Sequence, residues 1–230
     1  MKLKLLLLIS CLSFNLKTFA QVNFGFELNA YKSKLINISP DTIVPHGYSG
    51  AKVYQAPSYG IAPALVLRKQ IRKNLSLETG LGYWSHKYKL SLRAYNRFYG
   101  AEVDSSLNIS LKYIQVPILL SYEIPMKGIL SLLVSGGIRT KILIYQQDNY
   151  QDIKFEDIGF SADFNAYKRI VLAPSVAFAG KWQVTNSNSL ELGLFTNLDA
   201  TPFARSAWGF YQNLHPARSI QTGINLRYFL

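Results

Sequence analysis

The sequence has almost no cysteine and no long apolar run, and these two absences exclude several classes of protein. Cys11 is the only cysteine among 230 residues, so the chain cannot form an internal disulfide. No segment beyond the N-terminus holds 18 consecutive apolar residues, so we predict no transmembrane helix. The sequence also contains no P-loop, dinucleotide fingerprint or cluster of metal ligands. We therefore expect no cofactor and no metal site.

Acidic residues are scarce as well. The chain has 13 Asp and Glu against 25 Lys and Arg, which gives a net charge of +12 and a pI near 9.7. In a cytosolic protein such a charge would favour nucleic-acid binding. Here the basic residues are dispersed and the chain begins with an export signal, so we expect no nucleic-acid partner. Anionic lipopolysaccharide and outer-membrane lipid headgroups are the expected partners of this charge.

The first 20 residues have the pattern of a secretory signal peptide. Lys2 and Lys4 form a basic start, a short apolar core follows, and Ala20 ends a small-residue cleavage site. Cleavage there leaves residues 21–230 as one domain without cysteine. A lipoprotein signal at Cys11 is the alternative, but Cys11 lies early and is followed by the better cleavage site.

The sequence is rich in segments that alternate apolar and polar residues. Residues 219–230 show the pattern best, because every second residue from Ile220 to Leu230 is apolar or Thr. Eight such segments occur, at 21–31, 57–71, 75–90, 107–123, 128–145, 169–184, 189–199 and 219–230. After an export signal, this pattern predicts an all-β fold, a transmembrane antiparallel up-and-down β-barrel that is apolar toward lipid and polar toward its lumen. Ten strands are the alternative if 157–167 pairs as well.

The connections between these segments alternate in length. Three are tight, at 72–74, 124–127 and 185–188, and four are long, at 32–56, 91–106, 146–168 and 200–218. With an even number of strands, the tight turns face the periplasm and the long loops face outward. Aromatic residues and arginines are typical of contact surfaces. The loop contact candidates are Tyr95, Arg97, Tyr99, Arg205, Trp208 and Tyr211.

Charged residues of both signs fall on the predicted inner face. They are Glu27, Arg68, Glu78, Glu123, Arg139, Lys141, Lys181, Glu191 and Arg227. An eight-stranded barrel encloses little more than side chains, so these charges must pair. We predict a structural network of ion pairs that plugs the lumen, and a gated ion path is the alternative. Pro117 lies within the fourth segment and predicts a local bulge there.

Ser85 and His86 suggest one catalytic possibility, because some outer-membrane barrels modify lipid A with histidine beside serine or a carboxylate. Neighbouring residues of a strand point to opposite faces, so this pair cannot act together. The simpler interpretation is that His86 is a non-catalytic residue at the rim of the barrel. We therefore predict that the protein is not an enzyme.

Two motifs resemble the outer-membrane β-barrel family of Bacteroidetes that is often called PorT-like. Residues 75–83 (LSLETGLGY) resemble its second hairpin, and residues 112–122 (KYIQVPILLSY) resemble its fourth strand, including Pro117. The following strand with Gly136 and Gly137 is also similar. The resemblance implies fold and location and carries no catalytic residues. The final strand, with Tyr228 and Phe229, resembles the signal that the barrel-insertion machinery recognises.

Together these observations predict an integral outer-membrane barrel of a Gram-negative bacterium. We expect a structural or interaction protein that acts through its extracellular loops, with a protein partner that the sequence does not identify. A narrow channel, or porin, and a lipid A-modifying enzyme are the alternatives. A soluble lipocalin-like barrel would instead turn the apolar faces inward.

Overall fold

The computed structural model describes residues 22–36, 48–96, 101–126, 128–151, 167–185, 188–202 and 218–230. These residues form nine antiparallel strands. The strands are β1 (Val22–Ile36), β2 (Tyr48–Ala56), β3 (Ser58–Arg72), β4 (Leu75–Asn96), β5 (Ala101–Pro125), β6 (Leu130–Gln151), β7 (Ile170–Gln183), β8 (Ser189–Leu198) and β9 (Arg218–Phe229). No helix in this part of the chain is long and apolar enough to cross a bilayer.

The strands close into a barrel of eight. β1 pairs with both β3 and β9, β4 pairs with β2, β3 and β5, and from β5 to β9 each strand pairs with its sequence neighbour. β2 and β3 are separated only by Pro57, and both pair with β4, so they form one strand that bends at the proline. The structure therefore confirms the predicted all-β barrel with eight strands. Most of residues 157–167, the basis of the ten-strand alternative, lie outside the described residues.

The distribution of polar and apolar side chains is the reverse of that in a soluble protein. Along β8, every second residue is buried and the residues between them are exposed. Most of the exposed ones are large and apolar, as at Leu194, which is 63% exposed, and on other strands at Phe24 and Ile61. The buried ones include charged residues such as Glu191. An apolar outer wall around a polar interior is typical of a barrel in lipid.

The strands extend well beyond their predicted ends, which corrects three of the predicted loops. The predicted loop at 146–168 begins as strand, since β6 continues to Gln151. The predicted loop at 91–106 is mostly strand, since β4 continues to Asn96 and β5 begins at Ala101. The predicted loop at 32–56 contains the end of β1 and all of β2. The outer face becomes polar here, as at Lys32 and Lys34, so the alternation disappears from the sequence while the backbone pairing continues.

Pro117 does not form the predicted bulge. It pairs with Arg139 of β6 in unbroken register, and the register shift of that strand pair lies between Lys112 and Tyr113. On its other side, the ladder between β4 and β5 lacks pairs at Gly80 and Leu81 but resumes in the same register. A proline has no N–H to donate. The barrel accommodates it by leaving out ladder bonds rather than by inserting a residue.

The two ends of the barrel differ. The short connections after β3, β5 and β7 lie at one end, together with the start of β1 and the end of β9. We call this the tight-turn end and the opposite one the long-loop end. Gly128, in the turn before β6, has a φ of 78°. Side chains other than glycine rarely adopt this left-handed conformation.

Candidate functional site: the lumen charge network

Three arginines and three glutamates from six different strands meet in the barrel interior. We call them the arginine–glutamate cluster; its members are Glu27 (β1), Arg68 (β3), Glu78 (β4), Arg139 (β6), Glu191 (β8) and Arg227 (β9). All six are buried. Each occupies an inward position of its strand, so the period-two alternation alone directs the six side chains into one space.

Arg227 is the centre of this cluster. Its Nε lies 3.2 Å from Glu27 Oε2, and its Nη1 lies 3.1 Å from Glu78 Oε2 and 3.8 Å from Glu191 Oε2. One guanidinium therefore faces three carboxylates from three strands. A guanidinium suits this position because its planar group carries five donors and stays charged.

Arg68 links two of the same carboxylates from the other side. Its Nη2 lies 2.7 Å from Glu78 Oε1. It also forms a two-point contact with Glu191, in which Nη2 donates to Oε2 at 2.9 Å and Nη1 pairs with Oε1. The guanidinium stacks on the ring of Phe229, with its carbon 3.9 Å from the ring centroid. Gly25 makes room for this ring, since a Cβ there would lie 2.6 Å from it.

Arg139 and two serines complete the hydrogen bonding of the cluster. Arg139 Nη2 lies 3.5 Å from Glu27 Oε1, and its Nε donates to Ser175 Oγ at 3.1 Å. Ser121 Oγ donates to Glu78 Oε1 at 2.5 Å and lies 2.6 Å from Ser135 Oγ. Three positive and three negative charges thus balance in a buried space, and of the six residues Arg68 alone reaches the vestibule at the tight-turn end. An uncompensated charge there would cost several kcal/mol.

A second buried ion pair lies nearer the long-loop end. Lys141 Nζ donates to Asp199 Oδ1 at 2.6 Å and to Gln221 Oε1 at 2.7 Å. Asp199 Oδ2 accepts from the backbone N of Ser219 at 3.2 Å and also from the Ser219 hydroxyl. The pair is fully enclosed, because Lys141 is 1% exposed and Asp199 is 2% exposed.

A third pair lies at the tight-turn end, where the lumen opens to solvent. Lys181 Nζ lies 2.7 Å from Glu123 Oε2, and both side chains are partly exposed. They line a vestibule of about 670 Å³ together with Arg68. Of the six cluster residues, Arg68 alone reaches the wall of this vestibule. The arginine–glutamate cluster therefore forms the floor at which the vestibule ends.

Aromatic rings fill the lumen on the long-loop side of the cluster. Six residues form this aromatic layer: Tyr31, Trp84, His86, Tyr88, Tyr113 and Phe195. The ring centroids of Tyr31 and Trp84 lie 4.4 Å apart, and those of His86 and Tyr88 lie 5.5 Å apart, in stacked arrangements. All six are buried, so the layer occludes the barrel above the charges.

His86 lies inside this layer and not at the rim where the sequence placed it. It is 2% exposed, and neither ring nitrogen has a hydrogen-bond partner among the described residues. Its neighbour Ser85 belongs to the opposite, outward-facing set of β4 residues, and the Ser85 carbonyl accepts from the Tyr31 hydroxyl. General-base catalysis needs a hydrogen bond between base and nucleophile, and the two side chains offer none.

Several other buried polar side chains also lack hydrogen-bond partners within the described chain. The side-chain amide nitrogen and oxygen have no partner in three residues, Gln115, Asn197 and Asn225, and Trp84 Nε1 has none either. Buried amides normally find a partner in protein or in bound water. These groups mark the positions where water molecules would be held in the lumen.

The structure brings all nine predicted lumen charges into the barrel interior as three separate groups. It adds Asp199, which the sequence analysis did not name. The signal was present, because Asp199 continues the inward series of β8 that includes Glu191 and Asn197. The aromatic layer was also missed, although Trp84, His86 and Tyr88 follow Glu78 at even spacing on β4.

Most of the predicted loop contact residues are not among the residues that the structure describes. Arg97, Tyr99, Arg205, Trp208 and Tyr211 lie outside the described residues. Tyr95 belongs to β4, where its backbone pairs with Ser49 and Glu102, and so it is a strand residue rather than a loop residue.

Three solved structures of outer-membrane proteins that match the chain are distant from it in sequence. The Neisserial surface protein A (NspA) is 12% identical, with 90% of this chain and 96% of that chain covered and a TM-score of 0.45. The outer membrane protein OprG from Pseudomonas aeruginosa is 11% identical, with coverage of 91% and 94% and a TM-score of 0.44. Ail of Yersinia pestis is 7% identical, with coverage of 91% and 97% and a TM-score of 0.30. No curated protein sequence matches the chain.

A sequence family matches most of the chain. The match to the outer membrane protein beta-barrel domain covers residues 15–199, which include seven of the eight barrel strands. It agrees with the apolar outer wall and the closed ring of antiparallel strands. The chain therefore belongs to the outer membrane protein beta-barrel domain family and is an outer-membrane β-barrel protein.

Proposed function

We propose that this outer-membrane barrel is a closed membrane anchor that acts through the surface at its long-loop end. One observation supports the proposal: the arginine–glutamate cluster and the aromatic layer together fill the lumen, from Arg68 at the vestibule to Tyr88 on the long-loop side. A lumen of this kind leaves no open path, so the exposed ends of the barrel are the surfaces available for function. Binding residues are commonly found on loops that a rigid scaffold positions.

A narrow channel is the second candidate, and the unpartnered polar groups of the lumen favour it. Gln115, Asn197 and Asn225 lie between the arginine–glutamate cluster and the long-loop end. Water bound to them would form a hydrated path next to the cluster. Opening of that path requires separation of Arg68 from Glu191 and of Tyr31 from Trp84.

We also propose that the protein is not an enzyme acting on lipid A. Its described histidine, His86, faces the lumen rather than the lipid, without a hydrogen bond to serine or carboxylate. The test is the mass spectrum of lipid A from cells that overexpress the protein. An unchanged spectrum supports the proposal, and a new lipid A species that disappears in a His86→Phe variant contradicts it.

Two finer assignments accompany this proposal. We propose that residues 1–20 are a signal peptide removed after Ala20, and that the chain belongs to the PorT-like branch of Bacteroidetes. The second rests on the motifs at 75–83 and 112–122. Neither assignment supplies a biological process, so the role in secretion of the namesake protein is not transferred to this chain.

The experiment that tests the anchor proposal is extraction from native outer membranes in mild detergent, followed by mass spectrometry of the proteins that co-purify. The matched control replaces connections 37–47 and 203–217 by short Gly-Ser turns and leaves the strands unchanged. A stoichiometric partner that is present with the natural connections and absent from the control supports the proposal. A clean monomer in both preparations contradicts it.

A further inference from the structure

Among the described side chains, the charges of the barrel are segregated between its two surfaces. Thirteen acidic residues occur in the sequence. Five of them have described side chains, and all five point into the lumen, where each contacts a cation: Glu27, Glu78, Glu123, Glu191 and Asp199. Among the described side chains, the outer wall therefore carries cations and no acid.

Five of these outer cations form one patch at the long-loop end. We call it the basic belt; it consists of Lys32 and Lys34 on β1, Lys87 and Lys89 on β4, and Lys112 on β5. All five occupy outward positions of their strands; four are exposed and Lys112 is partly exposed. No described carboxylate lies near enough to pair with any of them, since those carboxylates face the lumen.

The register makes the basic belt continuous around one side of the barrel. Lys32 lies directly opposite Tyr59 of β3, and the backbone N of Lys87 donates to Ser58 Oγ of the same strand at 3.0 Å. On the other side of β4, Ser85 lies opposite Lys112. The patch thus extends over four neighbouring strands, about 14 Å at the usual strand spacing of roughly 4.8 Å.

The basic belt begins where the apolar outer wall ends. Along β1 the exposed Phe24, Phe26 and Leu28 are followed, after Ala30, by Lys32. Tyrosine rings mark the boundary. Lys32 Nζ lies 5.9 Å from the ring centroid of Tyr59, and Lys112 Nζ lies 4.5 Å from that of Tyr145. Tyrosines of this kind are enriched at the level of lipid headgroups.

We propose that the basic belt binds the two phosphates of a lipid A headgroup. Lysines beside a membrane attract anionic headgroups. At the usual strand spacing the belt spans about 14 Å, which is wider than a single phosphate, so it suits an anion with two separated phosphates. Lipid A has this form, whereas a phospholipid headgroup such as phosphatidylglycerol carries one phosphate. Binding at this outer surface is independent of whether the lumen conducts.

The test measures lipid binding to the purified full-length protein in detergent micelles. The probes are bisphosphorylated lipid A, dephosphorylated lipid A and phosphatidylglycerol, each titrated while the unfolding temperature of the barrel is followed. We expect bisphosphorylated lipid A to raise this temperature at the lowest lipid concentration. A Lys87→Gln/Lys89→Gln/Lys112→Gln variant should need about tenfold more lipid A or more for the same shift.

The chain offers a control of the same type at its other end. A Lys69→Gln/Arg72→Gln/Lys73→Gln variant loses the same charge at the tight-turn end and should bind lipid A like the natural protein. Heat-modifiable migration on gels shows that both variants are folded. If both variants lose lipid A binding equally, net charge alone explains the loss, and the proposal is overturned. Equal binding of phosphatidylglycerol, or of dephosphorylated lipid A, would also overturn it.

Discussion

Arg227 Nη1 lies 3.1 Å from Glu78 Oε2 although β1 and β3 separate their strands in the sheet. The contact therefore crosses the lumen. Because Arg227 also faces Glu27 and Glu191, one side chain connects the final strand of the barrel to three others. The same residue closes the lumen and holds together strands that are distant in the sequence.

Replacement of Arg227 by methionine should strongly destabilise the barrel. It would leave three buried carboxylates with two arginines, and removal of one partner from a buried ion pair costs about 3–5 kcal/mol. The measurement is urea unfolding in lipid vesicles, followed by tryptophan fluorescence. The control is Arg218→Met, since Arg218 lies on the same strand with its side chain outside the lumen. Equal losses in the two variants would mean that the cluster contributes no stability of its own.

The buried pair of Lys141 and Asp199 should show strong coupling. In a double-mutant cycle with Lys141→Met and Asp199→Asn, the double variant should lose less stability than the sum of the single variants, by about 1–3 kcal/mol. Each single change leaves a buried charge without its partner, whereas the double change removes both charges. The measurement is the same urea unfolding.

The partly exposed pair of Lys181 and Glu123 provides the comparison for that cycle. Solvent screens it at the vestibule, so its coupling should stay below about 1 kcal/mol. A coupling energy as large as that of the buried pair would contradict the assignment of Lys141 and Asp199 to the enclosed part of the lumen.

Gly60 should not tolerate even a methyl group. A Cβ at this position would fall on the ring of Tyr31, which is stacked on Trp84. We expect Gly60→Ala to cost about 1–3 kcal/mol through overpacking. Gly136→Ala is the matched control, because its Cβ would meet no atom closer than 3.9 Å. Thermal unfolding of the two variants compares them, and equal stability would mean that the aromatic layer is loosely packed.

His86→Phe should preserve or raise stability. The change removes two buried nitrogens that have no hydrogen-bond partner in the described chain and keeps a ring of similar shape between Tyr88 and Tyr113. Relief of an unsatisfied buried polar group is worth about 1–3 kcal/mol. The measurement is thermal unfolding of the variant against the natural protein. A loss of more than about 1 kcal/mol would indicate that His86 holds a bound water or a polar partner.

The fold could be predicted in unusual detail because a barrel in lipid separates its two faces completely. The inward positions of Arg68, Arg139 and Lys141 followed from alternation alone. The strand ends could not be predicted, since the outer face beyond the lipid becomes as polar as the inner one. The predicted strand at 75–90 included Lys87 and Lys89 but stopped there, whereas β4 continues to Asn96.

The sequence could not predict which charged residues form ion pairs with one another in the lumen. Alternation places Glu78 and Glu191 inside, but only the stagger of the strands decides that both meet Arg68. The same limit applies to Asp199. It stands at the end of a predicted strand, and its partner Lys141 comes from a strand 58 residues away. The prediction of a bulge at Pro117 was wrong. The sequence does not show whether a strand pair responds to a proline by losing a ladder hydrogen bond or by shifting its register.

The most direct test of the account is single-channel recording in planar bilayers of the natural protein and an Arg68→Ser/Glu191→Ser variant. The variant removes one charge of each sign, so the net charge of the lumen stays the same while the floor of the vestibule is opened. The account predicts no unitary conductance steps for the natural protein and small steps for the variant. Stable steps of equal size in both would contradict a closed lumen and establish the narrow channel instead.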